Sequence, residues 1–202
     1  MITTGKLIAR NTGSLIKRTA SDRGRVFARM IRVGETLPDG VLFEDHPTNP
    51  IKMSDLLVDR NVVMFAVPGA FTPGCSRIHL PGYINTAGEM KSEGVHEIIC
   101  VSVNDPYVMA AWAEKNHTKG KIRMLADPSG EFIQAIGLGM NISALGGYRS
   151  KRFSMYIINN EVKELNIEPD GTALSCSLAS RLEYKKYSNK KEKKEDETSN
   201  QD

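Results

Sequence analysis

The sequence predicts an α/β fold in which helices flank a mixed β-sheet, and three observations support this class. Short apolar runs alternate with helix-like segments between residues 61 and 137. The runs at 61–67 and 95–104 are continuously apolar, which is typical of strands that are covered on both faces. Residues 152–169 then have the pattern of two strands joined by a tight turn. Strands that alternate with helices and end in a hairpin favour an α/β sandwich about one sheet.

The first elements in this order are a strand, a helix and a second strand. "NVVMFAV" at 61–67 is a short apolar run with strand character. "YINTAGEMKSEG" at 83–94 is typical of a helix, and Gly94 ends it, since glycine readily adopts the left-handed conformation found at helix C-termini. "VHEIICVSVN" at 95–104 is the next predicted strand.

Two further helices are predicted to begin at Asp-Pro pairs. In "NDPYVMAAWAEKNH" (104–117), Asp105 is placed to cap the helix and Pro106 to occupy its first position. A strand at 121–127 follows, and "DPSGEFIQAIG" (127–137) repeats the same helix start.

Length and composition restrict the classes of protein that fit. The 202 residues suit one domain with extensions, and 40% apolar residues are enough for one core. The net charge is +3, so nothing in the overall charge favours a nucleic-acid partner. The longest purely apolar runs, such as 62–67, fall far short of the ~18 residues that span a bilayer, so we expect no membrane segment.

The chain has three widely spaced cysteines, at positions 75, 100 and 176. An odd and small number argues against the disulfide framework of a secreted protein. A structural zinc site needs about four clustered ligands, and the sequence contains no such spacing. We therefore expect a reduced, intracellular setting and no metal.

Both ends of the chain differ in composition from the middle. Residues 1–29 hold seven Lys or Arg and one acid, which favours a mitochondrial transit peptide; a disordered basic arm or a cloning remnant are the alternatives. Residues 183–202 contain no apolar side chain except two tyrosines and are predicted to be a disordered tail. The predicted folded domain is therefore 31–182.

The stretch "PGAFTPGCSRIHLPG" at 68–82 places a cysteine at the start of a helix. The preceding strand ends near Pro68, and Thr72 can cap a helix whose first turn contains Gly74 and Cys75. Unpaired N–H groups and the helix dipole favour an anion in this turn. Gly74 also lets a ligand approach the backbone closely. Cys75 is thus a candidate for a reactive thiolate.

These residues resemble a known family. The Pro-x3-Thr-x2-Cys pattern formed by Pro68, Thr72 and Cys75 is that of the peroxiredoxins, which are thiol peroxidases of thioredoxin-like fold. Five longer segments are similar to the peroxiredoxin-5 subfamily and together extend over about 33–182: "PGAFTPGCSRIHLPGY", "VSVNDPYVMAAW", "LADPSGEF", "KRFSM" and "EPDGTALSCSLA". The resemblance implies a central mixed β-sheet flanked by helices.

The resemblance also implies a role for each residue around Cys75 that matches the family pattern. Cys75 corresponds to the peroxidatic cysteine, and Pro68 to the proline that shields its thiolate from water. Thr72 corresponds to the threonine that hydrogen-bonds thiolate and peroxide. Arg152, in "KRFSM", corresponds to the arginine that polarises the bound peroxide. Composition alone does not choose among Arg152 and its neighbouring cations, Arg149 and Lys151.

Two further positions correspond to family features. Cys176, in "TALSCSLA", matches the resolving cysteine of atypical two-cysteine members, which closes an intramolecular disulfide. Leu145 stands where family members often carry an aromatic residue, so the wall of the substrate pocket stays apolar while its preference among organic peroxides changes. Cys100, in the middle of a predicted strand, is expected to be core.

The implied function is a thiol-dependent peroxidase that reduces hydrogen peroxide and organic hydroperoxides, and peroxynitrite as a further candidate substrate. Cys75 would become a sulfenic acid and form a disulfide with Cys176. Thioredoxin would reduce this disulfide, with glutathione as an alternative reductant, and no cofactor is implied. We expect a monomer or a homodimer. The expected location is the mitochondrion, with the cytoplasm as the alternative. The final "NQD" does not support peroxisomal import.

Three rival functions stay open at this stage. A thiol–disulfide oxidoreductase would need a second cysteine at position 78, where isoleucine stands. A Cys–His hydrolase would use His79, four residues after Cys75, as a base, although a structural hydrogen bond is the favoured role for this histidine. A redox-regulated binding protein without peroxide turnover is the third.

Overall fold

The computed structural model describes residues 29–187. The predicted transit peptide, apart from Arg29, and residues 188–202 of the predicted tail lie outside this range. Within the described part of the chain, no helix combines the length and the apolar character that crossing a membrane requires.

A seven-stranded mixed sheet is the centre of the described fold. Its strands are β1 (Val41–Glu44), β2 (Pro50–Lys52), β3 (Asn61–Ala66), β4 (Glu97–Ser102), β5 (Arg123–Ala126), β8 (Phe153–Ile158) and β9 (Glu161–Ile167). They lie in the order β2-β1-β5-β4-β3-β8-β9, with β3, β4 and β5 parallel and the other neighbours antiparallel. A separate antiparallel ribbon pairs β6 (Gly139–Ile142) with β7 (Gly147–Ser150). The predicted mixed sheet is confirmed.

Between Val41 and Ile167, four α-helices, one π-helical turn and one 3₁₀ turn connect the strands, and a second 3₁₀ turn follows β9. The α-helices are α1 (Met53–Leu57), α2 (Leu80–Ser92), α3 (Pro106–Asn116) and α4 (Glu131–Ala135). A π-helical turn at Cys75–His79 runs directly into α2. Two 3₁₀ turns lie at Ser143–Leu145 and Ala179–Arg181.

The helix starts confirm one sequence prediction and modify two others. Asp105 caps α3, because its Oδ1 accepts a hydrogen bond from the Val108 N–H at 3.0 Å. The helix predicted to begin at Thr72 and the one predicted over 83–94 form one continuous segment. By contrast, α4 starts late, because Gly130 takes a left-handed conformation (φ 72°) and closes a turn on the Asp127 carbonyl at 3.0 Å.

The sheet separates two apolar clusters, as the continuously apolar strands predicted. In β3, Met64 packs on the face that carries α1 and α4, whereas Phe65 packs on the face that carries α2 and α3. Both side chains are fully buried. The second face also contains Cys75, so the candidate site belongs to the core between the sheet and α2.

The ordered chain continues past the predicted boundary at residue 182. Tyr184 is only 5% exposed and packs with the α2 side of the core. The ring of Tyr187 lies 5.4 Å from that of Tyr156, and its hydroxyl donates to the Lys163 carbonyl at 2.8 Å. The two tyrosines, which are the apolar residues of the predicted tail, bury enough surface to hold residues 183–187 against the domain.

We expect Tyr184→Ala to lower the free energy of unfolding by about 3 kcal/mol, because truncating a buried ring leaves a cavity. Urea denaturation measures this change. Tyr107→Ala is the matched control, because that ring is 64% exposed and its loss should change stability by no more than about 0.5 kcal/mol. Equal effects of the two substitutions would contradict the packing of Tyr184.

Candidate active site

Cys75 is the first residue of the π-helical turn, and its side chain is fully buried. The chain leaves β3, forms the loop 67–74 and enters the helix, where the Ser76 N–H donates to the Thr72 carbonyl at 2.9 Å. Trp112 of α3 donates from its Nε1 to the Ser76 hydroxyl at 3.1 Å. The sulfur therefore lies at a helix start that is anchored to a second helix.

The loop before Cys75 is held by the end of β4. Asn104 Oδ1 accepts from the Ala70 N–H at 3.0 Å and from the Ser102 hydroxyl at 2.7 Å. The same hydroxyl lies 3.2 Å from the Val67 carbonyl. Pro68, within this loop, is buried, and its predicted role of keeping water from the sulfur stays a prediction. Asn104 was not among the predicted site residues, although its position directly before an Asp-Pro helix start was a signal.

Thr72 shapes this loop instead of capping the helix with its side chain. Its hydroxyl donates to the Gly69 carbonyl at 3.0 Å, and the helix N-terminus has no side-chain cap. The Thr72 backbone carbonyl provides the helical hydrogen bond to Ser76. The predicted contact of Thr72 with thiolate and peroxide stays a prediction.

Arg152 is the candidate cation that lies at the sulfur. Its Nη1 is 3.3 Å from Cys75 Sγ, and its Nε donates to the Thr172 carbonyl at 3.0 Å. The side chain is 4% exposed. Strand register explains this position, because Ala66 at the end of β3 pairs with Phe153 at the start of β8. Arg149 instead donates to backbone carbonyls, at 2.7 Å in the case of Val103.

Gly74 and Leu145 both lie near the predicted site. A Cβ on Gly74 would come 3.3 Å from Leu174 Cδ1 and 3.5 Å from Arg152 Nη2. Gly74 has an ordinary helical φ of −65°. A glycine at this position therefore matters for the space that it leaves and not for its conformational freedom. Leu145 is partly buried, and its Cδ1 lies 3.9 Å from where a Cβ on Gly69 would stand.

His79 is fully buried and hydrogen-bonded on both ring nitrogens. Nε2 lies 2.9 Å from the Ser177 carbonyl, and Nδ1 lies 3.3 Å from Arg152 Nη1. A carbonyl only accepts and a guanidinium only donates, so Nε2 carries the proton and Nδ1 accepts. This neutral tautomer gives His79 the structural role that the sequence favoured, and its Nδ1 lone pair is already engaged by Arg152.

The environment of His79 keeps it neutral over a wide pH range. Burial, the largest cause, lowers its pKa to about 4. The hydrogen bond with the Ser177 carbonyl opposes this shift, and the positive charge of Arg152 adds to it.

Cys176 lies close to the Cys75 helix through its neighbour Ser177, whose carbonyl accepts from His79 and, at 2.8 Å, from the Tyr83 hydroxyl. Both cysteines are free thiols. Cys176 is partly exposed, and its sulfur lies 3.3 Å from the Ile167 carbonyl. Burial and the charge of Glu168 raise the pKa of Cys176.

Glu168 is a buried residue that the sequence analysis missed. Its carboxylate accepts the backbone N–H groups of Ser175, Cys176 and Ser177 at 2.8, 3.0 and 2.9 Å. The available signal was an acidic residue directly after a predicted strand, a few residues before a serine-containing segment. Residues 29–187 contain no group of three or more His, Cys, Asp or Glu side chains that could hold a metal ion.

The mixed sheet, with a buried cysteine at the start of a helix that packs on it, defines a thiol oxidoreductase of thioredoxin-like fold. A family profile described as Redoxin matches residues 32–182. This range includes the whole sheet, Cys75, Arg152 and Cys176.

Curated relatives narrow this class. Peroxiredoxin-2C of Oryza sativa subsp. japonica is 43% identical over 145 residues, which are 70% of this chain and 90% of the relative. Peroxiredoxin-2E, chloroplastic, of Arabidopsis thaliana is 36% identical over 180 residues, 86% of this chain and 77% of the relative. The chain therefore belongs to the peroxiredoxin family.

Solved structures agree with this assignment. Reduced Prx3 in complex with H2O2 from Vibrio vulnificus has a TM-score of 0.70 and 42% identity, covering 75% of this chain and 96% of that one. Peroxiredoxin 5 from Alvinella pompejana has a TM-score of 0.65 and 42% identity, covering 70% and 92%. The chain is a thiol-dependent peroxidase, with peroxides as substrates and a thioredoxin-type reductant.

His79 should make stability depend on pH between its unfolded pKa of 6.5 and its folded pKa of about 4. The unfolded chain binds more protons in this window, so the contribution is complete above the higher value and is lost as pH falls toward the lower one. We expect this group alone to cost about 2 kcal/mol between pH 7 and pH 5.

Urea unfolding of the wild type and His79→Gln at both pH values checks this expectation. The glutamine cannot titrate, so its stability should fall less on acidification. His46→Gln is the control for the substitution itself, because His46 is exposed and its replacement should change the stability at pH 7 by no more than about 0.5 kcal/mol. Parallel curves for wild type and His79→Gln would contradict the lowered pKa of the buried His79.

Proposed function

We propose that Cys75 is the peroxidatic cysteine and that Arg152 activates its reaction with hydroperoxides. The observation that carries the proposal is the 3.3 Å contact between Arg152 Nη1 and Cys75 Sγ in a buried site at a helix start. A guanidinium so placed stabilises an anionic sulfur and can also donate to a peroxide that approaches it. The Redoxin match over 32–182 supports the same assignment.

In the proposed reaction the Cys75 thiolate attacks the terminal oxygen of ROOH. The S–O bond forms as the O–O bond breaks, so the sulfur loses two electrons and the RO⁻ fragment leaves and takes a proton to become ROH. Arg152 donates where negative charge develops on the oxygens. We assign a second donor role to Thr72, whose hydroxyl must turn from the Gly69 carbonyl to reach the peroxide.

The remaining predicted residues shape the pocket around this reaction. Buried Pro68 excludes water from the sulfur. Gly74 leaves open the space next to Arg152 that a side chain would fill. Leu145 forms an apolar wall beside the loop and selects among organic peroxides by its shape.

Cys176 is the proposed resolving residue. Its thiolate attacks the Cys75 sulfenic sulfur, the S–S bond forms, and the hydroxyl leaves as water after protonation. Thioredoxin then supplies two electrons by thiol exchange, and glutathione is the alternative donor. The contact of Ser177 with His79 and Tyr83 supports this role, because it attaches the Cys176 loop to the Cys75 helix.

The cellular setting is proposed from composition and from a relative. The basic, acid-poor segment 1–29 supports import into an organelle, for which we propose the mitochondrion, with the cytoplasm as the alternative. The chloroplastic Arabidopsis relative supports an organellar location within the family. The chain acts as a monomer or a homodimer, which analytical ultracentrifugation distinguishes.

We expect the reduced wild type to be oxidised rapidly by stoichiometric hydrogen peroxide and to yield a Cys75–Cys176 linked peptide by mass spectrometry. Cys75→Ser should abolish the rapid oxidation, because it removes the attacking sulfur. Cys176→Ser should keep the first step and stop at the sulfenic acid. Cys100→Ala is the matched control and should behave as the wild type. Rapid peroxide consumption by Cys75→Ser would contradict the proposal.

Arg152→Met should slow the first oxidation step by about 10²–10³-fold, the range found when one donor to developing charge is removed. Stopped-flow fluorescence of Trp112, the single tryptophan of the chain, provides the signal because this ring contacts Ser76 next to Cys75. Lys151→Met is the control, since it removes the adjacent cation and should retain the wild-type rate. A wild-type rate in Arg152→Met would contradict the role of Arg152.

A further inference from the structure

We propose that Glu168 is a positioning residue of the resolving step: its carboxylate latches the Cys176 loop in the reduced arrangement, and release of this latch limits formation of the Cys75–Cys176 disulfide. This inference rests on the proposed function of Cys176. The Cys176 loop is defined here as residues 175–177.

Glu168 gathers nearly all the hydrogen-bond donors of the Cys176 loop. Oε1 accepts the N–H groups of all three loop residues at 2.8–3.0 Å and the Ser177 hydroxyl at 2.7 Å. Oε2 accepts the Ser175 hydroxyl at 2.5 Å. Glu168 is 1% exposed, and no lysine or arginine of residues 29–187 forms an ion pair with it. The hydrogen-bond donors of the Cys176 loop therefore stabilise this buried charge.

The carboxylate is fully ionised at neutral pH. Burial by itself would raise the pKa of Glu168, but the hydrogen bonds from Ser175 and Ser177 outweigh it and lower the pKa to about 2. Hydrogen bonds to an ionised acceptor are roughly twice as strong as those between neutral groups. The loop is thus held by charge-assisted bonds, and opening it leaves a buried charge without partners.

In the latched loop, the hydrogen bonds of Cys176 go to Ile167 and Glu168, and its thiol is not bonded to Cys75. The Cys176 sulfur lies 3.3 Å from the Ile167 carbonyl, on the strand that leads to Glu168. On the other side, the Ser177 carbonyl is bound to His79, and Arg152 lies between His79 and the Cys75 sulfur. A disulfide requires the two Cα atoms within about 7 Å and the two sulfurs in bonding contact. Cys176 must therefore leave the Ile167 carbonyl, and its N–H must leave Glu168.

The same charge also disfavours the attacking form of Cys176. Resolution requires the Cys176 thiolate, since this sulfur donates the electron pair that forms the S–S bond. Burial raises the pKa of Cys176, and the nearby carboxylate of Glu168 raises it further because it opposes a second negative charge. Both the latch and the charge therefore restrain the step that follows oxidation of Cys75.

Glu168→Gln separates these effects from simple loss of structure, because the amide keeps the shape and one acceptor oxygen. We expect disulfide formation after oxidation by hydrogen peroxide to become about tenfold faster, since the charge-assisted bonds weaken to neutral ones. The pH profile of this step should shift to lower pH, because the charge next to Cys176 is gone. The first oxidation of Cys75 should keep its wild-type rate.

Glu161→Gln is the matched control. Glu161 is the first residue of β9, which ends directly before Glu168; it pairs with Lys163 at 2.7 Å, and none of its hydrogen bonds or ion pairs reaches the Cys176 loop. Its replacement should change neither the rate nor the pH profile of disulfide formation. Amide hydrogen exchange at 175–177 should accelerate in the full-length Glu168→Gln protein and stay unchanged in Glu161→Gln.

Disulfide formation that is unchanged or slower in Glu168→Gln, with the first oxidation step intact, would overturn the latch. Unchanged amide exchange at 175–177 would overturn it as well. A wild type that is oxidised at Cys75 but forms no Cys75–Cys176 disulfide would instead overturn the proposed role of Cys176, and the inference with it. These outcomes are distinguishable because the first is read in the variant and the last in the wild type.

Discussion

The buried guanidinium of Arg152 is the group on which the site depends. It contacts the Cys75 sulfur and His79 Nδ1 at 3.3 Å each and the Thr172 carbonyl at 3.0 Å. A charge that is 4% exposed must be surrounded by acceptors, because burying it unpaired costs several kcal/mol. The requirement to satisfy Arg152 therefore fixes the positions of the sulfur, the neutral histidine and the segment after β9 relative to one another.

The sheet brings these groups together by register. Antiparallel pairing of β3 with β8 places the exit of one strand beside the entry of the other, so the loop to Cys75 and the side chain of Arg152 start at the same edge. Parallel pairing of β3 with β4 brings Asn104 to this edge, where it accepts the Ala70 N–H. Asn104, Arg152 and the loop to Cys75 thus meet at one edge of the sheet, although they are far apart along the chain.

Two buried charges organise two adjoining parts of the fold by opposite means. Arg152 collects acceptors around Cys75, whereas Glu168 collects donors from the segment that contains Cys176. His79 and Ser177 join the two parts, because His79 Nε2 lies 2.9 Å from the Ser177 carbonyl and 3.3 Å from the Ser177 hydroxyl. In the proposed two-cysteine cycle, which first isolates a reactive sulfur and then brings in a second one, this arrangement keeps the reduced state ordered around both cysteines.

The sequence alone determined the sheet class, the Asp105 cap and the place of Cys75 at a helix start, because apolar runs, capping residues and helix starts are local properties of the chain. The matching motifs also singled out Arg152 from its neighbours Arg149 and Lys151. Only the tertiary structure decided that Thr72 bonds backward to Gly69, that Gly74 makes room for Arg152, and that Glu168 binds the loop of Cys176. It also decided that 183–187 is ordered through Tyr184. These features depend on which buried polar groups and which apolar surfaces meet across long separations, and no local pattern records that pairing.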